Sequence, residues 1–111
     1  MKDDAVFLKH ILDSINQIEE YIDGMGFEDF IGCKLVQDGV VRQLEIIGEA
    51  TKHLSPELRE KYPKIPWEDI AGMRDKLIHH YFGVDLEVVW DTVEKDLPAL
   101  KKKVKKILSE T

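Results

Sequence analysis

Four residues within one short stretch have types that could do chemistry together: Arg74, Asp75, His79 and Tyr81. An arginine holds an anion through a rigid fork of donors and keeps its charge at any physiological pH. A histidine can take up or release a proton near neutrality. An aspartate four residues before it on a helix is its surface neighbour, favours the charged ring and can fix its tautomer. Asp75 and His79 have that spacing, which is a usable acid/base arrangement. Any helix rich in charge also yields such a pair by chance. A structural ion-pair network therefore stands beside the catalytic reading.

These residues need a helix to position them. The sequence predicts one from residue 67 to about residue 81 or 82, with Pro66 at its first turn and Gly83 past its end. On its wheel Ile70, Met73, Leu77 and Tyr81 form the core stripe. Arg74 flanks that stripe and shares a side with Ile78 and Tyr81. A half-buried guanidinium there would need an anion or a carbonyl as partner. The ring of Tyr81 should be buried, with its hydroxyl accessible. His79 follows Arg74 by five residues, roughly 140° around a regular helix. One helix of one monomer therefore does not bring the two side chains together. A two-fold copy of the chain could supply the missing group to a shared cleft.

The other elements follow from apolar spacing and caps. Val6, Phe7, Ile11, Ile15, Ile18 and Ile22 recur at helical period, giving a helix from residue 4 to about 23 that ends at Gly24-Met25-Gly26. A second periodic segment spans residues 27 to about 53, with Phe30, Leu35, Val36, Val40, Leu44 and Ile47 in its stripe. It contains Gly32, Gly39 and Gly48, which fit either close approach to another helix or a break. Ser55-Pro56 reads as N-cap and first turn of a short helix to about residue 62. Asp85 can cap a last helical region from 86 to about 109, kinked or split by Pro98. No strand periodicity and no linker is present. At 111 residues, the expectation is a single domain, all-α, an antiparallel bundle of four to five helices.

Composition narrows the function classes. Hydrophobic residues make up 43% and charged residues 34%, as in a soluble globular protein with one small core, which dimerisation would extend. The N-terminal stretch lacks the cationic start of a signal peptide, and no apolar run approaches membrane-spanning length. The lone Cys33 fits a reducing cytoplasm and reads as a small buried residue. A net charge of −6 argues that any nucleic-acid contact is local. The run Lys101-Lys102-Lys103-Val104-Lys105-Lys106 reads first as a solvated helix face near a C-terminus. His10 and His53 are remote from the motif and from any zinc-ligand spacing, so no metal and no cofactor are expected. Trp67 and Trp90 read as packing residues. Arg42, with Glu45 or Glu49, offers partners for Arg74 across the bundle.

The spacing Arg74-x4-His79-x-Tyr81 resembles the R-x4-H-x-Y motif of the HepT family, a branch of the HEPN superfamily. The flanks agree: Trp67-Glu68-x-Ile70-x-Gly72-Met73 precedes the motif, and Val89-Trp90 and Asp96-Leu97-Pro98-x-Leu100 follow it. Arg42-x5-Gly48-Glu49-Ala50 resembles the family's second helix. The resemblance implies a helical homodimer with the motif at the subunit interface. It implies the toxin half of a toxin–antitoxin pair, acting as a metal-independent endoribonuclease on RNA. On that pattern His79 is general base on the ribose 2′-hydroxyl or general acid on the leaving oxygen. Arg74 stabilises charge on the scissile phosphate, and Asp75 supports from the position where the family often carries a polar residue. The implied partner is an MntA-like nucleotidyltransferase antitoxin that transfers AMP from ATP to the motif tyrosine, here Tyr81. A non-catalytic nucleotide-binding or scaffold subunit of such a transferase complex is the alternative.

Overall fold

The computed structural model describes residues 3–79 and 85–110, the side chains of residues 74 and 76–79 excepted. Among these residues there are helices and turns and no strand. Helix α1 is Asp4–Tyr21, α2 Phe27–Ile31, α3 Lys34–Lys52, α4 Pro56–Lys61 and α5 Trp67–His79. The last helical region comprises α6, Leu86–Asp91, a π-helical turn, Thr92–Asp96, and α7, Leu97–Ser109. The long rods α1, α3, α5 and α6–α7 make the bundle, and the short α2 and α4 close its ends. No helix of the described residues is long and apolar enough to cross a membrane.

The core is one continuous cluster. Leu8, Ile11, Ile15 and Ile18 of α1 are fully buried against Val40, Leu44 and Ile47 of α3 and Val104 and Ile107 of α7. Phe30 of α2 is fully buried beside Trp90 of α6, the ring centroids 5.1 Å apart. Both tryptophans are buried as packing residues. Val6 and Leu35, placed in apolar stripes by their spacing, stand 49% and 81% exposed. Each lies within the first turns of its helix, at an edge the bundle does not cover.

The second periodic segment is two helices, because the chain breaks at Gly32-Cys33. Cys33 is the N-cap of α3, in extended conformation, and is half-exposed rather than buried. The glycines divide between the two explanations offered for them. Gly32 sits at the break. At Gly39 a Cβ would come 3.0 Å from the Tyr21 ring, so α3 approaches α1 closely there. Gly24 ends the α1 turn with φ +77°, a conformation open to glycine at little cost.

Helix ends are set by named contacts. Ser55 Oγ accepts from Leu58 N at 3.2 Å, as its N-cap position requires. The same serine is held by buried Asp4: Ser55 N donates to Asp4 Oδ1 at 2.8 Å and Ser55 Oγ to Asp4 Oδ2 at 2.6 Å. One carboxylate thus fastens the start of α1 to the start of α4. Asp4→Ala should cost about 1–3 kcal/mol in urea denaturation, because it removes a buried carboxylate that accepts two hydrogen bonds from half-buried Ser55. An unchanged midpoint would show the clamp to be idle.

Trp67 Nε1 donates to Tyr62 O at 3.0 Å, which fixes the entry into α5. Tyr62 Oη donates to Glu110 Oε2 at 2.9 Å, and this hydrogen bond holds the Tyr62 phenol above its ordinary pKa. Asp85 Oδ1 accepts from Glu87 N and Val88 N at the start of α6. Pro98 neither simply kinks nor splits the last helix. Its ring would clash with the carbonyl of Glu94 in a regular α-helix. The chain instead widens over Thr92–Asp96, where Leu97 N reaches back five residues to Thr92 O.

Candidate active site

Helix α5 carries the motif from Arg74 to His79. Its backbone is helical through His79, so Arg74, Asp75 and His79 lie on one regular element at the spacing the sequence suggests. The Arg74 and His79 side chains, and Tyr81 altogether, lie outside the described residues. The half-burial expected for Arg74 and the accessible hydroxyl expected for Tyr81 fall there too.

Among the described side chains of α5, Trp67 and Ala71 are buried, 5% and 9% exposed and one helical turn apart, while Leu77 and Tyr81 of the expected stripe lie outside the described residues. Ile70 and Met73, read as core stripe, are only partly buried and pack at the core's margin. They line a cavity of about 500 Å³ between α5 and the α6–α7 region, with Val88, Thr92 and Lys103 on its other side.

Asp75 is exposed and meets α3. Lys52 Nζ donates to its two carboxylate oxygens at 3.3 and 3.2 Å. Sequence reasoning missed Lys52, which lies 23 residues upstream on another helix, where no local spacing rule reaches. The pairing of Arg42, Glu45 or Glu49 with Arg74 falls outside the described residues; along α3 itself these groups have the following neighbours. Arg42 Nη1 lies 3.8 Å from Glu45 Oε2, and Glu49 Oε1 lies 3.6 Å from His53 Nε2, at the helix's C-cap.

The lysine run has two parts. Lys101 Nζ donates to Glu19 Oε1 at 2.6 Å and ties α7 to α1. Lys102, Lys103, Lys105 and Lys106 are exposed, as a solvated face would be. Only Lys103 of these borders the cavity beside Met73.

The model of the family described as ribonuclease HepT-like matches residues 11–107, which include all of α5 and the motif. The chain belongs to the ribonuclease HepT-like family. That places it in the HEPN superfamily, among RNA-cleaving enzymes. It is 49% identical over 110 residues to a protein of Caldanaerobacter subterraneus subsp. tengcongensis named "Putative RNase", covering 99% of this chain and 98% of the relative. It is 48% identical over 101 residues to "Probable ribonuclease HepT" of Thermococcus cleftensis, covering 91% and 92%. A "Gamma-glutamylcyclotransferase and putative RNase" of Methanocaldococcus jannaschii is 52% identical over 109 residues, 98% of this chain and 49% of that longer protein. No solved structure matches at a significant level.

Proposed function

We propose that this chain is a metal-independent endoribonuclease and the toxin of a toxin–antitoxin pair. The observation that carries the reading is the family match over residues 11–107, with Arg74 and His79 on α5 and Tyr81 following them in the motif's order in the sequence. In this reading His79 removes the proton of a ribose 2′-hydroxyl, or protonates the leaving 5′-oxygen. The 2′-oxygen attacks phosphorus, the P–O5′ bond breaks, and a cyclic phosphate remains on the upstream fragment. Arg74 stabilises the charge that gathers on the phosphoryl oxygens. The site is composite. Arg74 and His79 are roughly 140° apart on one helix, so two copies of α5 meet in a homodimer to complete it.

The regulation proposed with it is covalent. A cognate MntA-like nucleotidyltransferase would transfer AMP from ATP to the Tyr81 hydroxyl, releasing pyrophosphate. Bulk and negative charge would then occupy the cleft where RNA must bind.

A second reading keeps the transferase and drops the chemistry: the dimer is a nucleotide-binding scaffold. The net charge of −6 favours it, since unspecific RNA affinity is low for such a protein. Expression of the chain alone, and then with the neighbouring transferase gene, separates the two. Growth arrest relieved by the partner is the expected result. Unimpeded growth, together with purified protein that leaves RNA intact in the presence of a chelator, would remove the toxin reading in favour of the scaffold.

A further inference from the structure

Asp75 poses a problem for an RNA site. It follows Arg74 directly and precedes His79 by one helical turn on α5. A carboxylate there opposes the approach of a phosphodiester, within a Debye length of about 10 Å at ordinary ionic strength. The structure places a cation on that carboxylate. Lys52 Nζ reaches both oxygens, at 3.3 and 3.2 Å.

The turn that carries Lys52 is fixed from several directions. Thr51 is fully buried, and its hydroxyl donates to Ile47 O at 2.8 Å. Its carbonyl accepts from Arg59 Nη2 at 2.7 Å, which fastens the end of α3 to α4. On the other side of Lys52, His53 stacks on Phe7 of α1 with ring centroids 4.8 Å apart. Three helices therefore hold the residues flanking Lys52, and the lysine spans from this anchored end to α5.

Fold stability does not explain the contact well. The Lys52 and Asp75 side chains are 36% and 53% exposed, and ion pairs so open to water contribute little to stability. A two-oxygen contact beside Arg74 instead sets the orientation and net charge of the Asp75 carboxylate. We propose that Lys52 is a positioning residue of the RNA site: it binds Asp75 from α3, fixes that carboxylate, and offsets its charge where the phosphate backbone approaches the motif. The inference rests on the ribonuclease reading.

The test is a set of substitutions at Lys52, read as steady-state RNA cleavage without metal and as thermal midpoint. Lys52→Ala should lower kcat/KM about threefold to tenfold, through KM, as loss of one screened charge contact implies. The thermal midpoint should stay within error. Lys52→Arg, which keeps the charge, should restore most of the loss. The Lys52→Ala deficit should shrink as salt rises. A Lys52→Ala enzyme with unchanged kcat/KM, or a Lys52→Arg enzyme as impaired as Lys52→Ala, would overturn the positioning role. A wild-type chain that cleaves no RNA overturns the ribonuclease reading itself, so the two failures are told apart by the wild-type lane.

Discussion

His79→Ala should lower metal-free RNA cleavage about 100- to 10,000-fold, the range by which a positioned acid or base accelerates proton transfer. The loss should fall on kcat, since in the proposed mechanism the imidazole acts on a proton that moves in the transition state and not on ground-state binding. Arg74→Ala should lose activity on the same order, about 100- to 1,000-fold, as removal of a donor aimed at developing charge does. A composite site adds a sharper expectation. If Arg74 of one protomer works beside His79 of its partner, co-expressed Arg74→Ala and His79→Ala chains form mixed dimers in which one site is whole. Such dimers should recover part of the activity that each variant alone has lost. Cleavage that persists in His79→Ala would remove the histidine from the chemistry. Mixed dimers as inactive as the single variants would confine the site to one protomer.

The helices were legible where local chemistry sets them. Ser55-Pro56, Gly24, Asp85 and Pro98 mark ends or interruptions through caps, left-handed turns and a missing donor, and each does so in the structure. The core of α1 was legible too, since Ile11, Ile15 and Ile18 keep helical period and are fully buried. What escaped depends on which neighbour a face meets. Val6 and Leu35 fit their stripes and lie open, because periodicity does not say how far along a helix the next element extends. The cavity that Ile70 and Met73 border is likewise formed with residues of the α6–α7 region, which spacing within α5 does not reveal. In the candidate site, the order and spacing of Arg74, Asp75 and His79 on one helix could be read from sequence, down to the surface exposure of Asp75. Lys52 could not. An ion pair between helices depends on side-chain reach across a packed interface, and nothing within four residues of either partner signals it.

Tyr81→Phe should abolish AMP transfer to this chain and, with it, protection by the transferase. The phenol oxygen is the nucleophile that would attack the α-phosphorus of ATP, and phenylalanine keeps the ring while removing that atom. Co-expressed with the partner, the wild-type chain should show intact-mass increments in AMP-sized steps, and Tyr81→Phe none. The effect on growth follows from electrostatics. In the proposed regulation each added nucleotide would carry phosphate charge into a cleft that has to receive a polyanion, and would fill space as well. Without it the variant should remain toxic in the presence of the partner, while its RNA cleavage in isolation stays near the wild-type level if the hydroxyl has no part in the chemistry. The two readouts check each other. Mass increments that continue in Tyr81→Phe would move the acceptor to another residue. Increments lost while the partner still relieves growth arrest would mean that neutralisation comes from complex formation, with modification incidental to it.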